Sequence, residues 1–138
     1  EGVGWLDREW SSNLLNENQL GWDWFSLHLD NGEKVMLFKV RHNNGDDFLS
    51  GSWVSKNGTK KSLSSSDFQL EETDYAIIGG KKVPIKWKIS IFGGKPLTIK
   101  TEPVNINSWM ATSFPYWEGP ILLSGDLSGV GYLEMTGY

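Results

Sequence analysis

Five carboxylates stand inside aromatic sequence: Asp7 and Glu9 in WLDREW, Asp23 in GWDWF, Glu118 in YWEG and Glu134 in GYLEMTGY. Most other acids fall in turns or in polar runs such as LEETD. A carboxylate walled by aromatic rings loses hydration, so its neutral form is favoured and its pKa rises. An acid that keeps its proton near neutral pH can deliver it to a substrate, which is the task of a general acid. The same residues also fit a structural role, pairing with Arg8 or accepting backbone hydrogen bonds at a strand end. Trp5, Trp10, Trp24, Trp109 and Trp117 are candidates to line an apolar cavity or to pack as core.

Other chemistries find less support. The chain has no Cys, so a thiolate nucleophile, a disulfide and a Cys-based metal site are excluded. His28 and His42 are the two histidines, and neither belongs to an HxH or HxxxH pair, so no metal is expected. GxSxG is absent, and the Gly-Gly turns lack the Lys-Ser/Thr ending of a phosphate loop. A net charge of −4 with only two Arg, Arg8 and Arg41, argues against nucleic acid as a partner. No apolar run reaches the roughly 20 residues of a membrane-spanning helix.

The elements that must position these carboxylates read as short strands separated by Gly, Asn and Asp turns. Examples are DNGE at 30–33, HNNGDD at 42–47, IGGKK at 78–82 and SGDLSG at 124–129. Strands are expected at 3–10, 21–30, 33–41, 48–55, 59–63, 67–72, 84–92, 96–102, 116–125 and 130–138. PIKWKISI is the clearest, with Ile85, Trp87, Ile89 and Ile91 on one face and Lys86, Lys88 and Ser90 on the other. GWDWFSLHLDNGEKVMLFKVR reads as a hairpin about Asn31-Gly32, its first arm placing Asp23, Phe25, Leu27 and Leu29 on one face. Trp22, Trp24, Ser26 and His28 take the opposite face. SSNLLNENQL at 11–20 admits a short helix or turn. The predicted fold is all-β: one domain over 1–138, an antiparallel up-and-down meander closing into a lipocalin-like β-barrel, with a two-sheet sandwich as the alternative.

GWLDREWSS, GWDWFSLHLDNGEKVMLFKVR, YWEGPILLSG and GYLEMTGY, taken in order, resemble the C-terminal half of the AttH-like family, described also as hydroxyneurosporene synthases or carotenoid hydratases. The resemblance implies two lipocalin-like barrels, of which this chain supplies the second, with an N-terminal barrel of the same protein as its partner. A first residue of Glu, not Met, fits a processed or trimmed product. The resemblance further implies binding of an apolar, isoprenoid or lipid-like molecule. It also implies addition of water across a terminal isoprenoid double bond without a cofactor. By motif position Asp7 corresponds to the general acid, and Trp5 to an aromatic residue two before it. Two departures stand out: Trp5 occupies a Tyr position and cannot relay a proton as a phenol does, and Arg8 adjoins the acid. Trp24, Trp117, Tyr116 and Glu118 complete the expected ligand-binding set. The alternative is a structural half that packs on the N-terminal barrel and has no pocket of its own. Family members often carry export signals, which implies an extracytoplasmic location.

Overall fold

The computed structural model describes residues 15–93 and 96–138, together with Gly4 and Leu6. Ten strands follow one another: β1 (Gln19–Leu29), β2 (Lys34–His42), β3 (Phe48–Val54), β4 (Lys60–Leu63), β5 (Phe68–Ile78), β6 (Lys81–Ile91), β7 (Leu97–Pro103), β8 (Trp109–Met110), β9 (Tyr116–Gly125) and β10 (Gly129–Thr136). They form one antiparallel sheet of order β4-β3-β2-β1-β10-β9-β7-β6-β5, with β8 paired to β9. The sheet curls into a lipocalin-like half-barrel in which the first strand pairs with the last, and the ladder is open between β4 and β5.

The expected strands are present from β1 onward, and the meander is confirmed. The strand expected at 3–10 lies, apart from Gly4 and Leu6, outside the described residues. β6 begins at Lys81, earlier than the expected 84, and the two-residue β8 is an addition to the expected strands. β5 continues to Ile78 because register shifts between Glu72 and Tyr75 interrupt the two-residue alternation that would have revealed it. The turn then falls on Gly79 and Gly80, both at positive φ. Over residues 15–20 there is no helix: Gln19 N–H donates to the Asn16 carbonyl at 2.9 Å, closing a turn that leads directly into β1.

Alternation sends the expected residues inward. Phe25, Leu27 and Leu29 of β1 and Ile85, Trp87, Ile89 and Ile91 of β6 are all buried. Trp87 meets Phe25 edge-on, with ring centroids 5.4 Å apart. With Leu37, Ile99, Trp117, Ile121, Leu133 and Met135 also fully buried, the interior is packed with side chains. The outward lysines of β6 form exposed ion pairs, Lys86 with Glu102 at 2.9 Å and Lys88 with Glu71 at 2.7 Å, which contribute little to stability.

Asp23 is the charged member of the inward set and is fully buried. Arg41 Nε lies 3.3 Å from its Oδ2, and the Tyr138 hydroxyl donates to Oδ1 at 2.8 Å. The Arg41 guanidinium also sits 3.9 Å from the centre of the Tyr138 ring. Gly137 makes this possible: at φ 79° the chain turns Tyr138 back, where a Cβ would collide with the Leu20 carbonyl. Burial pushes the Asp23 carboxyl up to about 6, against the lowering influence of Arg41, Tyr138 and Lys39. Burial, reinforced by Asp23, likewise raises the Tyr138 phenol and keeps it a donor.

An aspartate whose folded pKa exceeds its unfolded value of about 3.9 binds its proton more tightly when folded. Its contribution to stability is therefore fully present below pH ~4 and is lost as the pH rises through about 6. Asp23→Asn does not titrate. Between pH 4 and 7 the wild type should lose ~2 kcal/mol relative to that variant in urea unfolding, and parallel profiles would contradict protonation of Asp23 in the fold. Trp87→Ala, which empties the centre of the core, should cost about 3–5 kcal/mol by the same measurement.

Candidate functional site

The face of β1 that does not enter the core carries Trp22, Trp24, Ser26 and His28. Pairing with β10 and then β9 extends this face sideways. Trp24 stands opposite Glu134, which stands opposite Glu118; Ser26 opposite Tyr132, then Pro120; His28 opposite Val130, then Leu122. β1 and the distant β9–β10 hairpin thus align aromatic, carboxylate and hydroxyl groups in successive rows. Over the lower rows lies an open cleft of about 480 Å³, lined by Ser26, His28, Glu118, Pro120, Val130, Gly131 and Tyr132, with Gly4 of the N-terminal segment as a further wall.

Two glutamates in direct cross-strand register would repel one another if they had no partners. Here Glu134 has a hydrogen-bond donor. Trp22 Nε1 donates to Glu134 Oε1 at 2.7 Å, and the Trp22 ring is fixed by stacking on Phe114 at 5.5 Å between centroids. The Tyr116 and Tyr132 phenols lie near enough to Glu118 to feel its charge. Partial burial, together with the charges of Glu118 and Glu134, raises both phenols, so they stay protonated. His28 is shifted the other way: burial first, and then Lys34, lower its pKa, so its imidazole is neutral at neutral pH and can accept a proton. Among the described residues no group of three or more His, Asp or Glu is placed to hold a metal ion.

The structure separates the residues singled out from sequence. Trp24, Tyr116 and Glu118 share the outer face, and Glu118 lines the cleft itself. Trp117 points the opposite way, fully buried in the core, with its indole N–H donating to the Ile106 carbonyl at 2.7 Å. Asp23 lies inside the half-barrel, on the far side of the sheet from Glu118 and Glu134. Asp7 and Trp5, like Arg8, Glu9 and Trp10, lie outside the described residues. Gly4, three positions before Asp7 in the chain, is on the cleft wall. Ser26, His28, Val130 and Tyr132 were not singled out as site residues. Alternation already placed Ser26 and His28 beside Trp24, but the pairing of β1 with β10 that brings Tyr132 and Val130 alongside is non-local.

The fold has counterparts among solved structures. An AttH protein from Nitrosomonas europaea superposes with a TM-score of 0.82 at 23% identity, over 94% of this chain and 42% of its own. Kievitone hydratase from Nectria haematococca superposes with a TM-score of 0.72 at 17% identity, over 86% of this chain and 39% of its own. The chain therefore spans less than half the length of these neighbours. No curated protein sequence matches it. The family described as AttH-like matches residues 1–138, the full length, and the chain belongs to that family.

Proposed function

We propose that this domain binds an apolar, isoprenoid or lipid-like molecule in the outer-face cleft and serves as part of a cofactor-free, hydratase-like enzyme. The cleft carries this reading: about 480 Å³ of space bounded by apolar Pro120 and Val130 and edged by Glu118, His28, Ser26 and Tyr132. A wall of this kind suits an apolar body with a few convergent polar groups that fix its orientation. The structural likeness to a kievitone hydratase supports the choice of reaction class.

Hydration of an alkene needs three functions. An acid gives a proton to one alkene carbon, a water oxygen bonds to the cation left at the other, and a base removes the surplus proton from that oxygen. Asp7 is the proposed acid, from its motif position, and the aromatic faces of Trp5 and Trp24 suit a cationic intermediate. Neutral His28 and the Glu118 carboxylate are the proton acceptors on the cleft wall.

A second reading, in which this half mainly docks on an N-terminal barrel, is favoured by the packed interior and by exposed Phe48, Leu122 and Val130 on the same outer face. The two readings meet if the barrel closes over the cleft. We further propose, on the strength of the family resemblance alone, an extracytoplasmic location.

Titration with acyclic isoprenoids and fatty acids, followed by Trp fluorescence, should show saturable one-site quenching. Val130→Asp, which sets a charge in the apolar wall, should weaken it about tenfold or more. Absence of any response in the wild type would favour the docking reading. In the full-length protein Asp7→Asn should lower hydration turnover by about 10²–10⁴ with the fold intact, and unchanged turnover would eliminate Asp7 as the acid.

A further inference from the structure

We propose that Ser26 is the hydroxyl anchor of the cleft, holding a water or alcohol oxygen of the bound molecule, so that the site selects a neutral isoprenoid alcohol over the matching hydrocarbon or carboxylic acid. This rests on the ligand-binding reading above and specifies the polar group the ligand carries.

Ser26 is 1% exposed, and its Oγ has no hydrogen-bond partner among the described residues. A hydroxyl offers one donor and two acceptor positions, and leaving them unused in a buried place is unfavourable. The backbone around it offers little relief, because β1 is paired on both sides, with Met36 of β2 and Tyr132 of β10 opposite Ser26 itself. What Ser26 does face is the cleft, whose wall it forms. It is also the small residue of its face, with Trp24 two positions before it and His28 two after. An oxygen docked at Ser26 would therefore lie within a recess between larger neighbours, with the apolar body of the molecule along Val130 and Pro120.

Charge decides which oxygen-bearing group fits. Glu118 lines the cleft, no Lys or Arg is among the described lining residues, and His28 is neutral. A carboxylate would meet like charge without a cation to compensate it, whereas an alcohol can donate to an acceptor on the wall and accept from Ser26. In a hydratase-like reaction the same position would hold water beside the alkene and the new hydroxyl in the product. The site would therefore recognise its product's alcohol.

The test uses three probes on one carbon skeleton, farnesol, farnesene and farnesoic acid, titrated at pH 8 into the full chain and its Ser26→Ala variant by Trp fluorescence. The wild type should bind farnesol roughly three- to tenfold more tightly than farnesene, with farnesoic acid weakest, and Ser26→Ala should erase the advantage of the alcohol while leaving farnesene unchanged. Without ligand, the variant should melt at or above the wild-type midpoint, because it removes an unpartnered group. Equal binding of farnesol and farnesene by the wild type, tightest binding of the acid, a preference for the alcohol retained in Ser26→Ala, or a lowered melting midpoint of the unliganded variant would each overturn the role of Ser26 while leaving the cleft as a binding site. Binding of none of the probes by the folded wild type would overturn the ligand-binding reading itself, and this inference with it.

Discussion

Pairing of Asp23–Leu29 with Gly129–Met135 joins strands from opposite ends of the sequence, and both faces of the sheet depend on it. On the inner face it brings Phe25 and Leu27 beside Leu133 and Met135. On the outer face the same ladder sets Trp24 beside Glu134, Ser26 beside Tyr132 and His28 beside Val130. Because side chains alternate strictly, a slip of one residue would exchange the two sets, placing tryptophan and histidine in the core and phenylalanine and leucine in water. Core packing therefore fixes the geometry of the cleft, although no core side chain needs to touch a ligand.

A lipocalin-like fold invites the expectation of a ligand inside the barrel. Here Trp87 and Phe25 occupy that space, and the surrounding aliphatic side chains complete the filling. The polar chemistry divides accordingly. Asp23, Arg41 and Tyr138 form a closed internal cluster in which each group answers another. Glu118, Glu134, Tyr116, Tyr132 and Trp22 form an external one beside open space. The internal cluster is sealed from water, which raises the Asp23 carboxyl, and the external one is not.

Much of this arrangement was legible in the sequence because β-strands write their faces in alternation. GWDWFSLHL separated Asp23, Phe25, Leu27 and Leu29 from Trp22, Trp24, Ser26 and His28 correctly, and PIKWKISI announced its buried face as plainly. Legibility stopped where information became non-local or irregular. The bulge at Glu72–Tyr75 disguised the second half of β5. Trp117 and Glu118, adjacent in YWEG, point to opposite sides of the sheet, and composition alone grouped them in one site. The aromatic surroundings of Asp23 correctly signalled a desolvated carboxylate, but not that Arg41 and Tyr138 would meet it inside the half-barrel. Ser26 carried no motif, and its place on the cleft wall emerges only when β10 is laid beside β1.

The sheet order also divides the chain into two meanders, β1–β4 and β5–β10. They are linked covalently through the turn at Ser64–Asp67, and across the sheet they are joined by the β1–β10 ladder. Since no ladder runs between β4 and β5, a protease nick in that turn would sever the backbone without removing a single strand pairing. The two resulting fragments would each keep a complete hairpin array and could reassociate by zipping β1 onto β10. The halves then behave as complementary pieces, and the cleft, lined from both, exists only where they are joined.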